Sequence, residues 1–121
     1  MSKTEGAARR RIAAKYLEVA EIAATEDGES VNVAVGIAVL AGIAASDAIC
    51  AAALGERYAG QDHAAAVQVL KRVDAALART LKKLVDMKPG SHYADALLSP
   101  ADRDRAIRAA SDLVQAARER I

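Results

Sequence analysis

Phenylalanine and tryptophan are absent from this sequence, and its aromatic residues are three tyrosines, Tyr16, Tyr58 and Tyr93. A core without large rings cannot fill its volume with bulky side chains, so its backbones must approach closely. A β-sheet is disfavoured for a related reason, since it needs the β-branched and aromatic residues that are scarce here. The single cysteine, Cys50, excludes an internal disulfide and lies in an apolar run, which fits a small buried thiol in a reducing, cytoplasmic setting. Neither sign of charge is in excess: 17 basic and 16 acidic residues leave a net +1, so the field of the whole molecule selects no polyanionic partner and only local patches can. The two histidines are not spaced one helical turn apart, and no metal site is expected from them. A glycine-rich phosphate loop, a nucleophile elbow and a close pair of carboxylates on one face are all missing, so no familiar enzyme motif stands in the chain and no cofactor is expected.

What the sequence has in abundance is alanine, about a quarter of its 121 residues. Alanine loses no side-chain entropy in a helix and has the highest helix propensity, so the expected class is all-α. The length fits one domain over residues 1–121, and the expected architecture is an up-and-down four- to five-helix bundle around a central apolar Ala/Gly-rich helix. Burying alanine releases little free energy per residue. Close helix contacts or a large intersubunit surface must supply the rest, which makes a homodimer the expected assembly.

Periodicity divides the chain. Ile12, Tyr16, Val19 and Ala23 recur at helical spacing among charged residues and predict an amphipathic first helix over 4–25, with that row turned inward. Asp27-Gly28-Glu29-Ser30 reads as a turn, with Ser30 as N-cap of the next helix. Residues 31–54 are apolar nearly all round and predict the hub of the bundle. A transmembrane span is the competing reading, but Asp47 interrupts the run, and alanine and glycine contribute little to membrane transfer, so no membrane is expected. The N-terminal stretch MSKTEGAARRR is charged and lacks a following apolar signal core, which argues against secretion. Gly55 ends the hub. Asp62 is set to cap a third helix over 63–73 and Asp74 a fourth over 75–87, although the two could form one long helix. Pro89-Gly90 breaks the pattern, and Ser99-Pro100 with Asp102 starts a last helix to about residue 120, with Ile107, Ala110, Val114 and Ala117 inward.

Several polar residues stand in special places. Asp47 in so apolar a helix must be paired, hydrogen-bonded or protonated: it is either half of a structural ion pair or the group that orients a base in a cleft. Arg57 and His63, separated by five residues, could supply a phosphate-binding guanidinium and a general base, the minimum for metal-independent cleavage of RNA, or they could simply cap adjoining helix ends. Lys88, His92 and Tyr93 could hold a phosphate across the Pro-Gly break, or the tyrosine ring could dock structurally on the bundle. The basic clusters Arg9-Arg10-Arg11, Lys82-Lys83 and Arg103, Arg105 and Arg108 lie near acids and read as solvated helix faces.

Taken along its length, from ARRRIAAKYLEVAEIAA through AVLAGIAASDAICAAALGERYAGQDHAAAVQVL to LKKLVDMKPGSHYADALLSPADRDRAIRAASDLV, the chain resembles the HEPN superfamily, small helical-bundle domains of prokaryotic toxin, antitoxin and RNA-processing systems. The resemblance lies in the small-residue second helix, His63 at the start of the third, and Lys88 followed by Ser91, His92 and Tyr93 before the last. It implies an RNA- or nucleotide-binding dimer, with metal-independent ribonuclease activity as one form of that function, His63, Arg57 and Asp47 as catalytic candidates, and Lys88, His92 and Tyr93 as substrate-binding ones. The alternative it implies is a non-catalytic interaction module that pairs with a partner such as a nucleotidyltransferase. The motif of the ribonuclease members, Arg, four to six residues, then His near the final helix, is not reproduced there: three residues separate Lys88 from His92, and Arg57 and His63 have the spacing but fall earlier in the helix order.

Overall fold

Five helices make up the residues that the computed structural model describes, which are 3–56, 62–87 and 98–121. They are α1 (Lys3–Ala23), α2 (Glu29–Leu54), α3 (His63–Lys71), α4 (Ala75–Val85) and α5 (Pro100–Arg120), with no strand among the described residues. The all-α class expected from alanine content is what the structure shows.

Turn chemistry sets the boundaries. Gly28 takes a φ of 72°, a left-handed conformation that costs glycine nothing, and reverses the chain directly into α2. Helix α2 therefore begins at Glu29, and Ser30 is not its N-cap: it lies inside the first turn, with its hydroxyl 3.5 Å from the Glu26 carboxylate. Gly55 ends α2 in the same left-handed region, its N–H donating to Ala51 O at 3.0 Å. Asp62 accepts from the N–H groups of Ala64 and Ala65, and Asp74 from that of Leu77, so α3 and α4 are separate helices. Ser99 and Asp102 form a reciprocal capping box at the start of α5, with Pro100 in the first helical position.

Helix α2 touches all four others. A run of small residues, Ala38, Ala41, Ala44, Ala45 and Ala48, is fully buried along it, and the larger fully buried side chains Ile49, Leu70, Leu81, Leu84 and Leu113 pack around that run. Each of these five contributes roughly 1.5–3 kcal/mol on burial. The closest approach is at Gly42, where a Cβ would lie 2.4 Å from Leu84 Cδ2 and 3.3 Å from Leu113 Cδ1. Three helices meet there because position 42 carries no side chain.

Long-range polar contacts fix the directions. Arg9 pairs with Asp47 and Gly6 stands against Ala51, so α1 and α2 run antiparallel. The Leu98 N–H donates to Asn32 Oδ1 at 2.8 Å and Arg103 pairs with Asp27, which puts the start of α5 beside the start of α2. Arg120 pairs with Asp74, so the end of α5 meets the start of α4. The end of α3 stays near the pole where α2 ends, since Arg72 just beyond it pairs with Glu56.

A second expectation is corrected. The buried face of α1 is Gly6, Ala13, Leu17 and Ala20, not the row Ile12, Tyr16, Val19 and Ala23. Small residues let α1 sit close to the alanine face of α2, and the bulkier row is turned aside: Ile12 stays 40% exposed and Val19 41%. On α4 Leu81, Leu84 and Val85 are buried, and on α5 Ala110, Val114 and Ala117 are buried as expected with Ile107 half-buried beside them.

Candidate functional site

Asp47 is buried, and its carboxylate accepts from the Arg9 guanidinium at 3.0 Å. The two side chains are 7% and 28% exposed, so the pair is desolvated on the Asp47 side and open on the Arg9 side. Neutralising a carboxylate within an apolar helix is what this ion pair accomplishes. It bridges α1 and α2. Arg9 is thus not part of a solvated face: a hairpin that reverses at Gly28 places residue 9 opposite residue 47, since both lie 19 positions from the turn.

His63 opens α3, half-buried, beside the Asp62 cap. Arg57, Lys88, His92 and Tyr93 lie outside the described residues, so of the six candidate residues the structure places Asp47 and His63. Asp47 stands about two turns before the end of α2, and His63 is on a different helix, at the start of α3. Among the described residues no group of three or more His, Cys, Asp or Glu side chains is arranged to hold a metal ion. Cys50 is buried, and desolvation pushes its thiol up to about 11, against the smaller opposing effect of a hydrogen bond with Ser46. The group is therefore a thiol at neutral pH and not a nucleophile.

Two surface features emerge that sequence reasoning had treated as ordinary solvated faces or as core. The first is a cleft of about 430 Å³ between α4 and α5, with Leu84, Met87 and Ala109 as its apolar floor. Lys83, Arg105 and Arg108 stand around it, together with Asp102 and Asp112. Arg105 is bonded to Asp102, which leaves Lys83 and Arg108 against Asp112. Its charge is close to balanced, and it offers anions only a weak positive field.

The second is an apolar face along the α1–α2 hairpin. Ile12, Val19 and Ile22 on α1 and Val33 and Leu40 on α2 are 40–65% exposed. On α1 the spacing puts Ile12, Lys15, Val19 and Ile22 on one stripe, so exposed Lys15, paired with Glu18, stands among the apolar side chains. Asp47, Leu40 and Val33 are seven residues apart and share one side of α2, while Arg9, Tyr16 and Ala23 share one side of α1 with Ile12 and Val19 beside them. The Arg9–Asp47 bridge crosses that same side. Within 31–54 Asp47 is the only charged residue, so the face carries no uncompensated charge along α2. Helix α2 is also long and apolar enough to cross a membrane, but 78% of its most apolar stretch is buried inside the protein, as a core helix requires.

Compared with protein-family models, with characterised proteins and with solved structures, the sequence shows no match.

Proposed function

We propose that this chain is an up-and-down helical-bundle module that acts by binding protein through its α1–α2 face, without catalysis of its own. The observation that carries this reading is the set of large exposed apolar side chains on one hairpin, Ile12, Val19, Ile22, Val33 and Leu40, with exposed Lys15 among those of α1. Two further points support it. The carboxylate that could have oriented a general base is instead held by Arg9, and the thiol of Cys50 is buried and protonated. Aromatic platforms for stacking bases are nearly absent from the sequence. The HEPN resemblance adds a class of partner, a nucleotidyltransferase, and the reading is that of the non-catalytic members.

A second reading, RNA or nucleotide binding, is favoured by one observation: Lys83, Arg105 and Arg108 border one cleft with an apolar floor. Two measurements decide between them. A photoreactive residue in place of Val33 is expected to form protein adducts in cells. Filter binding to RNA over a salt series, with metal-free incubation alongside, is expected to show neither salt-dependent retention nor cleavage. Salt-dependent RNA binding that is lost in both Lys83→Ala and Arg108→Ala would transfer the function to the cleft, and an absence of protein adducts at position 33 would remove the interaction reading.

A further inference from the structure

From the cleft between α4 and α5 we infer that the chain has a site for a small amphipathic monoanion, an apolar body that ends in one carboxylate. The inference goes beyond protein binding at the α1–α2 face and concerns other helices.

Two facing stripes make the cleft. Lys83, Leu84 and Met87 share one side of α4, and Arg105, Arg108 and Asp112, three and four residues apart, share one side of α5. The helices run antiparallel, since Arg120 at the end of α5 pairs with Asp74 at the start of α4. A volume of about 430 Å³ falls within the roughly 300–1,000 Å³ of small-ligand sites. Leu84 is fully buried beneath it, and half-buried Met87 and Ala109 complete an apolar floor. Methionine is unbranched and polarisable, so Met87 adjusts to an apolar guest of no fixed outline.

Charge on the rim selects the head of the ligand. Three cations and two carboxylates line the cleft, which leaves a net charge of +1. Arg105 is held by Asp102, whereas the side chains of Lys83, Arg108 and Asp112 make no ion pair or hydrogen bond among the described residues. The two unpaired cations stand on opposite walls, so a carboxylate between them meets both. Arg108 and Asp112 also border the groove between α5 and α1, where Glu21 and Asp104 compete for the arginine, while Lys83 serves this cleft. A net +1 suits a ligand with one negative charge. A phosphate monoester, at about −1.5 to −2, brings surplus charge beside Asp112, and no aromatic ring lines the cleft to stack a base. A cationic amphiphile meets the wrong sign.

Methyl NMR of the full-length chain tests the inference, with sodium octanoate as the probe and the Met87 methyl signal, assigned through Met87→Leu, as the readout. The expected result is a saturable shift of that signal with half-saturation on the order of 1 mM, as a ligand of this size allows. Octylammonium at the same concentrations should leave the signal in place. Lys83→Ala and Arg108→Ala should each weaken octanoate severalfold, Lys83→Arg should keep most of the affinity, and Asp112→Asn should tighten it by removing a carboxylate beside the site. All three positions are exposed, so the variants should keep the helical circular dichroism of the wild type. A Met87 signal that does not saturate, or that octylammonium moves equally, overturns the inference. So does octanoate binding indifferent to both Lys83→Ala and Arg108→Ala, which would be partition onto an apolar surface. Binding of adenosine monophosphate or mixed RNA that is tighter than that of octanoate and lost in Lys83→Ala also overturns it, in favour of the nucleotide reading. None of these outcomes bears on adducts from position 33, so the protein-binding reading stands or falls separately.

Discussion

Gly42 shows how a single absent side chain organises this molecule. A methyl group there would stand 2.4 Å from Leu84 Cδ2, and Leu84 is fully buried, so it has little room to turn away. Overpacking of this kind costs about 1–3 kcal/mol, and the gain in helix propensity from glycine to alanine returns up to ~1 kcal/mol. Gly42→Ala is therefore expected to destabilise the fold by about 1 kcal/mol in urea unfolding. Combined with Leu84→Ala, which vacates the contested space, it should cost less than the sum of the two single changes. Cys50 makes a second residue-scale prediction. Its burial lifts the thiol from 9.0 to about 11, so the folded protein should resist a thiol-specific disulfide reagent at pH 8 and react at once when unfolded. The sign of the linkage follows: because the folded value is the higher one, the contribution to stability is complete below pH 9 and is lost as pH rises toward 11.

At the scale of helices, the start of α5 can be tested by pH as well as by mutation. Asp102 is held below its ordinary value of 3.8, first by the Ser99 backbone N–H and then by the Ser99 hydroxyl. A depressed carboxylate contributes stability above its unfolded value and loses it as pH falls through the folded one, so the cap should fail only in acid below about 3.8. Ser99→Ala is expected to cost about 1 kcal/mol at neutral pH, and Asp102→Asn to flatten the acid limb of the stability profile in thermal unfolding between pH 2 and 5. This element was legible in the sequence because Ser-Pro-x-Asp is chemistry local to four residues. The caps at Asp62 and Asp74 were legible for the same reason, but the choice between two helices and one long one was not, since an aspartate is also tolerated inside a helix. The inward face of α1 was not. Helical periodicity finds the row of large apolar residues but cannot say whether that row meets its own chain, and here the small residues Gly6, Ala13 and Ala20, with Leu17 between them, took the core because the small ones permit closer contact with the alanines of α2. Asp47 was legible as an anomaly, but its partner was not, since Arg9 read as part of a solvated basic face and pairs with Asp47 only through the register of the hairpin. Convergence of Lys83 with Arg105 and Arg108 depends on how α4 lies against α5, which no local pattern carries.

Among the described residues of the whole molecule, large core side chains are in short supply. Alanine supplies many of the buried positions, the large fully buried side chains are few, and five sizeable apolar residues remain at the surface of α1 and α2. A chain in this condition gains stability by covering that surface, and if a second copy covers it, folding and association are linked by mass action. Each tenfold rise in concentration then adds about 1.4 kcal/mol per dimer, or ~0.7 kcal/mol per chain. For a domain of this size such a gain corresponds to a rise in melting temperature of about 2–4 °C. Melts of the wild type from micromolar to hundreds of micromolar should therefore climb with concentration. Leu40→Glu should melt lower and at one temperature throughout, since the introduced carboxylate blocks the interface without entering the core. A wild-type melting temperature that does not move with concentration, at a helicity equal to that of the variant, would mean that the chain is stable with its α1–α2 face open to water.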